Sequence, residues 1–137
     1  MSRETKRKEA SRLSLPKILV VDDETNIRRL ICLSLIRWGF IPLSAVSPKT
    51  AQERMDIRPD LAIIDIRLQG RYEAGVELCQ WIKSEWQIPV IATTAYDSDE
   101  IRKAVKPFCD AFCVKPKVLD CLRQAINRLL PIHEGAD

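Results

Sequence analysis

The chain has 137 residues, 46% of them hydrophobic and 30% charged, which describes one globular domain with enough apolar side chains for a substantial core. No apolar run approaches the roughly 18 residues that span a bilayer. The polar stretch Met1 to Ser14 lacks the apolar segment of a signal peptide, so a cytoplasmic protein is expected. The formal charge of +3 has a local source: Arg3, Lys6, Arg7, Lys8 and Arg12 face only Glu4 and Glu9 in the first fifteen residues. Residues 1–16 read as a basic, solvated leader, 17–130 as the folded domain and 131–137 as a short tail.

After Pro16 the chain runs Lys17-Ile18-Leu19-Val20-Val21 into Asp22 and Asp23, an apolar strand that ends on paired carboxylates. Thr25 is placed to cap a helix whose apolar positions Ile27, Leu30, Ile31, Leu35 and Trp38 follow three-and-four spacing up to Gly39. Phe40 to Ala45 is a weaker strand, and Pro42 within it suggests a place near the sheet edge. Ser47 and Pro48 open a short helix to about Met55.

Leu61 to Ile64 form a second continuous apolar run, read as a strand buried on both faces with Asp65 at its C-terminal end. The loop Leu68 to Ala74 follows, then a helix from about Val76 to Glu85. Ile88 to Ala95 is a strand ending in Thr93 and Thr94. Ser98 caps a helix to about Lys106, where Pro107 stops it. Ala111 to Val114 is a fifth strand closed by Lys115 and Pro116, and a last helix covers about 117–130. Strands alternating with helices predict right-handed crossovers and a parallel α/β sheet.

Two apolar strands ending on Asp22, Asp23 and Asp65 bring three carboxylates to one sheet edge, the end at which open parallel sheets bind and react. Their mutual repulsion calls for a cation. With no His or Cys close to either motif, the fit is a hard divalent ion, magnesium before zinc. The five cysteines, Cys32, Cys79, Cys109, Cys113 and Cys121, lack metal or redox spacing and read as small buried hydrophobes.

The order of motifs, an acidic pair after the first strand, Asp65 after the third, Thr94-Ala95 after the fourth and Lys115-Pro116 after the fifth, resembles the receiver domain of bacterial two-component response regulators from Lys17 to Leu130. The resemblance implies a doubly wound, flavodoxin-like, five-stranded parallel sheet of order 2-1-3-4-5 with five helices. It implies that Asp65 accepts a phosphoryl group from a histidine kinase or phosphotransfer protein. Asp22, Asp23, Asp65 and the backbone carbonyl of Arg67 would hold Mg2+, and Lys115 and Thr94 would contact the phosphoryl oxygens. Thr94 and Phe112 would form the switch, in a protein that is a phosphoacceptor assisting its own phosphorylation and dephosphorylation and not an enzyme with a separate substrate. Arg67 and Tyr96, flanking the path of an attacking water, would modulate the lifetime of the acyl phosphate. The expected output is a protein contact through the face Asp97 to Leu129, to a target or a second copy of the chain, with no direct nucleic-acid or membrane contact.

Some positions depart from the family. Gln69 stands where Pro is frequent, the loop before Gly75 is two residues longer, Phe108 and Cys109 replace a usual Gly-Ala pair, and Phe112 lacks the hydroxyl of the commoner Tyr. The chain ends soon after its last helix, which suggests a stand-alone regulator or a receiver cut from a longer protein. A receiver-fold adaptor that binds constitutively is the alternative, and the intact set Asp22, Asp23, Asp65, Thr94 and Lys115 argues against it. An aspartate-nucleophile phosphohydrolase would need an acid at Arg67, and a dinucleotide site would need glycines in the turn after Val21.

Overall fold

The computed structural model describes residues 14–130; the expected leader and tail lie, apart from Ser14 to Pro16, outside the described residues. Five strands, β1 (Lys17–Val21), β2 (Ile41–Ala45), β3 (Leu61–Asp65), β4 (Val90–Thr94) and β5 (Ala111–Val114), pair in parallel in the order β2-β1-β3-β4-β5. Four helices connect them, α1 (Thr25–Arg37), α2 (Pro48–Arg54), α3 (Tyr72–Glu85) and α4 (Asp99–Val105), and α5 (Val118–Leu129) follows β5. Short 3-10 turns extend α2 and α4.

Side-chain alternation along the strands divides the core into two layers. Ile18, Val20, Leu61, Ile63, Ile91 and Cys113 face Ile31 and Leu35 of α1 and Val118, Leu122 and Ile126 of α5. Leu19, Val21, Ala62, Ile64, Val90 and Ala92 face Ala51 of α2, Leu78 and Ile82 of α3 and Val105 of α4. With both faces covered, β3 and β4 are buried at every position, which is why their sequences are continuous apolar runs. Pro42 lies in β2, at the sheet edge as expected.

Local details differ from the sequence reading. Thr25 is the first residue of α1 and does not cap it; Glu24 is the N-cap, without a side-chain cap bond. Leu30 is exposed, as are Leu33 and Ile36, so the buried stripe of α1 is narrower than its apolar content suggests. Helix α3 begins at Tyr72 and not Val76, and Gly75 lies inside it. A Cβ at Gly75 would stand 2.0 Å from the carbonyl oxygen of Ile66, so only glycine lets α3 lie against the backbone just after Asp65. Gly75 N–H donates to that same oxygen at 3.1 Å.

Of the five cysteines read as small hydrophobes, Cys32, Cys79 and Cys109 are free, Cys79 buried and the other two half-buried. The reading fails for Cys113 and Cys121, which form a disulfide between β5 and α5 with a Cα–Cα separation of 5.8 Å. Their spacing of eight residues spans a strand, a turn and the start of a helix, a combination with no sequence signature.

Candidate functional site

Strands β1 and β3 are neighbours, in register from Ile18 opposite Leu61 to Val21 opposite Ile64, so Asp22 and Asp65 emerge side by side at the C-terminal edge. Carboxylate oxygens of Asp22, Asp23 and Asp65 all lie within 4.8 Å of one another. Asp22 and Asp65 are buried, whereas Asp23 is exposed. Lys115 enters from the end of β5, its Nζ 2.8 Å from Asp22 Oδ2 and 3.2 Å from Asp65 Oδ2. The Lys115–Pro116 peptide bond is cis.

The two oxygens of Asp22 are in different situations. Oδ1 accepts the N–H of Glu24 at 2.9 Å and so closes the turn after β1. Oδ2 is buried and meets Lys115 at ion-pair distance, yet off the direction of a hydrogen bond, leaving it without an aligned donor. A buried carboxylate oxygen in that state, beside two further carboxylates, fits a hard divalent cation. The donor set is all oxygen, which matches magnesium.

Asp65 pays most for this crowding. Burial first, and the charge of Asp22 second, push its carboxyl up from 3.8 to about 7 in the absence of a cation, against the opposing pull of Lys115 and the N–H of Arg67. Burial works to lower Lys115, but Asp22 and Asp65 outweigh it and hold the ammonium above its usual range.

The rim is built by two loops. After β3, Leu68 and Arg71 exchange two backbone hydrogen bonds of 3.0 Å around Gln69 and Gly70. Both central residues have positive φ, 55° and 76°, the pattern of a type I′ turn. This tight turn absorbs the longer loop, and its Gln69 N–H donates to Asp23 Oδ2 at 3.0 Å. After β4, the Thr94 hydroxyl donates to the carbonyl of Tyr96 and accepts its N–H, both at 3.1 Å, so it is engaged with its own loop. The Arg67 guanidinium lies 5.8 Å from the centre of the Tyr96 ring, bringing the two expected modulating residues together over a cleft also lined by Thr94 and Tyr72.

Phe112 is partly buried against the α2-α3-α4 layer, with the Arg102 guanidinium 4.5 Å from its ring centre. Arg102 also pairs side-on with Asp97, Nε donating to Oδ1 and Nη2 to Oδ2. The sequence reading missed this arginine, the Gln69 N–H and Arg28, whose Nη1 donates to the carbonyl of Asp22 at 2.9 Å. Only Gln69-Gly70 carried a signal, as a turn dipeptide.

Comparison with known proteins agrees with this geometry. Residues 18–127 match the response regulator receiver domain family. Over 125 residues the chain is 35% identical to the regulatory protein AtoC of Escherichia coli, covering 88% of this chain and 26% of AtoC. Over 124 residues it is 37% identical to the response regulator protein PilR of Pseudomonas aeruginosa, covering 88% and 27%. The chain thus spans about a quarter of the length of these relatives. Among solved structures, the signal receiver domain of a modulated diguanylate cyclase from Desulfovibrio desulfuricans superposes with a TM-score of 0.76 at 26% identity, over 89% of this chain and 97% of that one. With the order of its strands, the acidic group at their C-terminal edge and a match over most of its length, the chain belongs to the response regulator receiver domain family.

Proposed function

We propose that this receiver accepts a phosphoryl group on Asp65 from a histidine kinase or phosphotransfer protein and passes the signal on through protein contacts. One observation carries the reading: the buried carboxylate of Asp65 stands within ion-pair distance of Lys115 and beside Asp22 and Asp23, so nucleophile, cation site and counter-charge occupy one place. An adaptor without phosphorylation would have no use for three carboxylates held together against their repulsion.

In this reading Asp22, Asp23, Asp65 and the Arg67 carbonyl would hold Mg2+, which when bound would supply positive charge to offset the approach of one anion to another. An Asp65 oxygen attacks phosphorus, the N–P bond of the donor histidine breaks, and the donor imidazole keeps the electron pair and takes up a proton. The product is an acyl phosphate. Lys115 turns from its carboxylate partners to the phosphoryl oxygens as a point charge. The Thr94 hydroxyl gives up its bonds to Tyr96 to donate to the phosphoryl group, which draws its loop inward and opens room for the Phe112 ring. The surface from Asp97 to Leu129 changes as a result and meets the downstream target or a second copy.

Incubation with acetyl phosphate and magnesium tests this by intact mass. One added phosphoryl group is expected, lost when the metal is chelated. A protein that gains none, or gains it equally as Asp65→Asn, would refute the assignment.

A further inference from the structure

Beyond the phosphoacceptor site, the disulfide has a position that ties it to that site. Cys113 sits in β5 directly after Phe112 and two residues before Lys115, opposite Thr93 of β4. Cys121 lies one turn into α5. The S–S bond therefore closes a loop that contains Lys115 and pins β5 to α5 in the middle of the expected output face. Cys121 Sγ is 3.7 Å from the carbonyl oxygen of Phe112. As half of a disulfide, that sulfur has no proton to donate; as a thiol it would.

The two residues differ in exposure. Cys113 is fully buried, whereas Cys121 is partly exposed on α5. Attack by a thiolate from outside is therefore assigned to Cys121. Disulfides in a reducing compartment are mostly transient or redox-sensing.

We propose that Cys113–Cys121 is a thiol–disulfide exchange site for low-molecular-weight thiols, and that its oxidation state sets how readily β5 and the Lys115 loop respond to a phosphoryl group on Asp65. A thiolate attacks Cys121 Sγ, the S–S bond breaks, and Cys113 leaves as a thiolate that takes up a proton. A second thiol molecule, as thiolate, attacks the outer sulfur of the mixed disulfide and releases Cys121, which is protonated in turn. The protein gains two electrons and two protons, and the thiol leaves as its own disulfide.

The proposed sign takes the state seen with the bond closed as its reference. Here the Thr94 hydroxyl is turned to Tyr96 and the Phe112 ring lies under Arg102, the arrangement before phosphorylation. In this proposal the cross-link restrains β5 in that arrangement, and opening it favours the phosphorylated one. By linkage, a phosphoryl group must then favour the dithiol by the same factor.

The coupling to Asp65 rests on the phosphoacceptor reading; the exchange itself does not. The test uses the full chain equilibrated with reduced or oxidised glutathione. Alkylation after denaturation should count three thiols in the oxidised form, for Cys32, Cys79 and Cys109, and five in the reduced form. Beryllofluoride with magnesium, a stand-in for the phosphoryl group, should bind the reduced form about fivefold more tightly, a coupling of ordinary size. Cys121→Ser and Cys121→Ala should bind alike in either buffer, with the affinity of the reduced form. Five thiols in oxidised glutathione, or three that persist in reduced glutathione, would remove the exchange site. Equal affinity in both redox states, or tighter binding by the oxidised form, would remove the coupling. Failure to bind in either state would instead overturn the phosphoacceptor reading and the coupling with it, while the thiol count would still decide the exchange.

Discussion

The backbone N–H of Gln69 donates to Asp23 Oδ2 at 3.0 Å, tying the turn after β3 to the exposed member of the acidic group. Because Gln69 has φ of 55°, the bond depends on a left-handed backbone as well as on a donor. Gln69→Pro removes the N–H and cannot adopt that φ, so magnesium affinity should fall several-fold in a titration followed by amide shifts. Gln69→Gly keeps the donor and relieves the left-handed strain, and should leave affinity within about twofold while adding up to ~1 kcal/mol of stability. Equal affinities for the Pro and Gly variants would separate the turn from the metal site.

Gly75→Ala tests the packing beneath Asp65. The added methyl would meet the Ile66 carbonyl oxygen at 2.0 Å, and the obstacle is backbone, so α3 and the strand end must part. Destabilisation of more than about 3 kcal/mol in urea unfolding is expected, in the range of severe overpacking. A loss below 1 kcal/mol would mean that α3 is free to slide there.

What the sequence conveyed follows the strength of its local signals. β1 and β3 were readable because their apolar runs stop at Asp22 and Asp65, and the same stops located the acidic group. Ile88 and Pro89 read as strand although β4 starts at Val90; Pro89 has no N–H to donate, yet its carbonyl still accepts Ala62 N–H at 3.0 Å. The start of α3 was misplaced because a type I′ turn needs only Leu68 to Arg71, and a glycine at position 75 suggested a loop when its reason is close packing on Ile66. The disulfide and the Arg102–Phe112 contact were beyond reach, since each joins side chains of different elements with no periodic pattern between them.

Charge at Asp65 should make metal-free stability pH-dependent. The carboxyl holds its proton up to about pH 7 in the fold, against an ordinary value of 3.8. Between those values the native state binds more protons than the unfolded chain, so stability falls as pH rises through the window. Asp65→Asn has no charge to bury and should be more stable than wild type at pH 8 with chelator present, by an amount on the order of a few kcal/mol, with the difference vanishing near pH 4. Thermal unfolding across pH would show this; a variant less stable at pH 8 would mean that Lys115 outweighs the burial.

The Arg102 guanidinium lies 4.5 Å from the centre of the Phe112 ring, the ring proposed to move in the switch. Arg102→Ala removes the ring's cationic cover and the Asp97 pairing, each worth about 1 kcal/mol or less at an exposed site. Faster averaging of the Phe112 ring signals and a beryllofluoride affinity raised about two- to threefold are expected, because less is spent on freeing the ring. An unchanged or weaker affinity would show that Arg102 does not restrain the switch.

Arg67 and Tyr96 meet over the cleft, and neither is a carboxylate that could orient water, so the proposed acyl phosphate should hydrolyse slowly. Arg67→Asn and Tyr96→Ala should each lose the phosphoryl group several-fold faster than wild type. Dephosphorylation at the wild-type rate in both variants would contradict this role.

The most direct test of the account is to find the phosphorylated residue chemically. After treatment with acetyl phosphate and magnesium, borohydride reduces an aspartyl phosphate to homoserine, and peptide mass spectrometry locates the change. The account predicts homoserine at position 65, abolished by chelator and by omission of acetyl phosphate. Homoserine at position 22 or 23, or at none of the three, would contradict it.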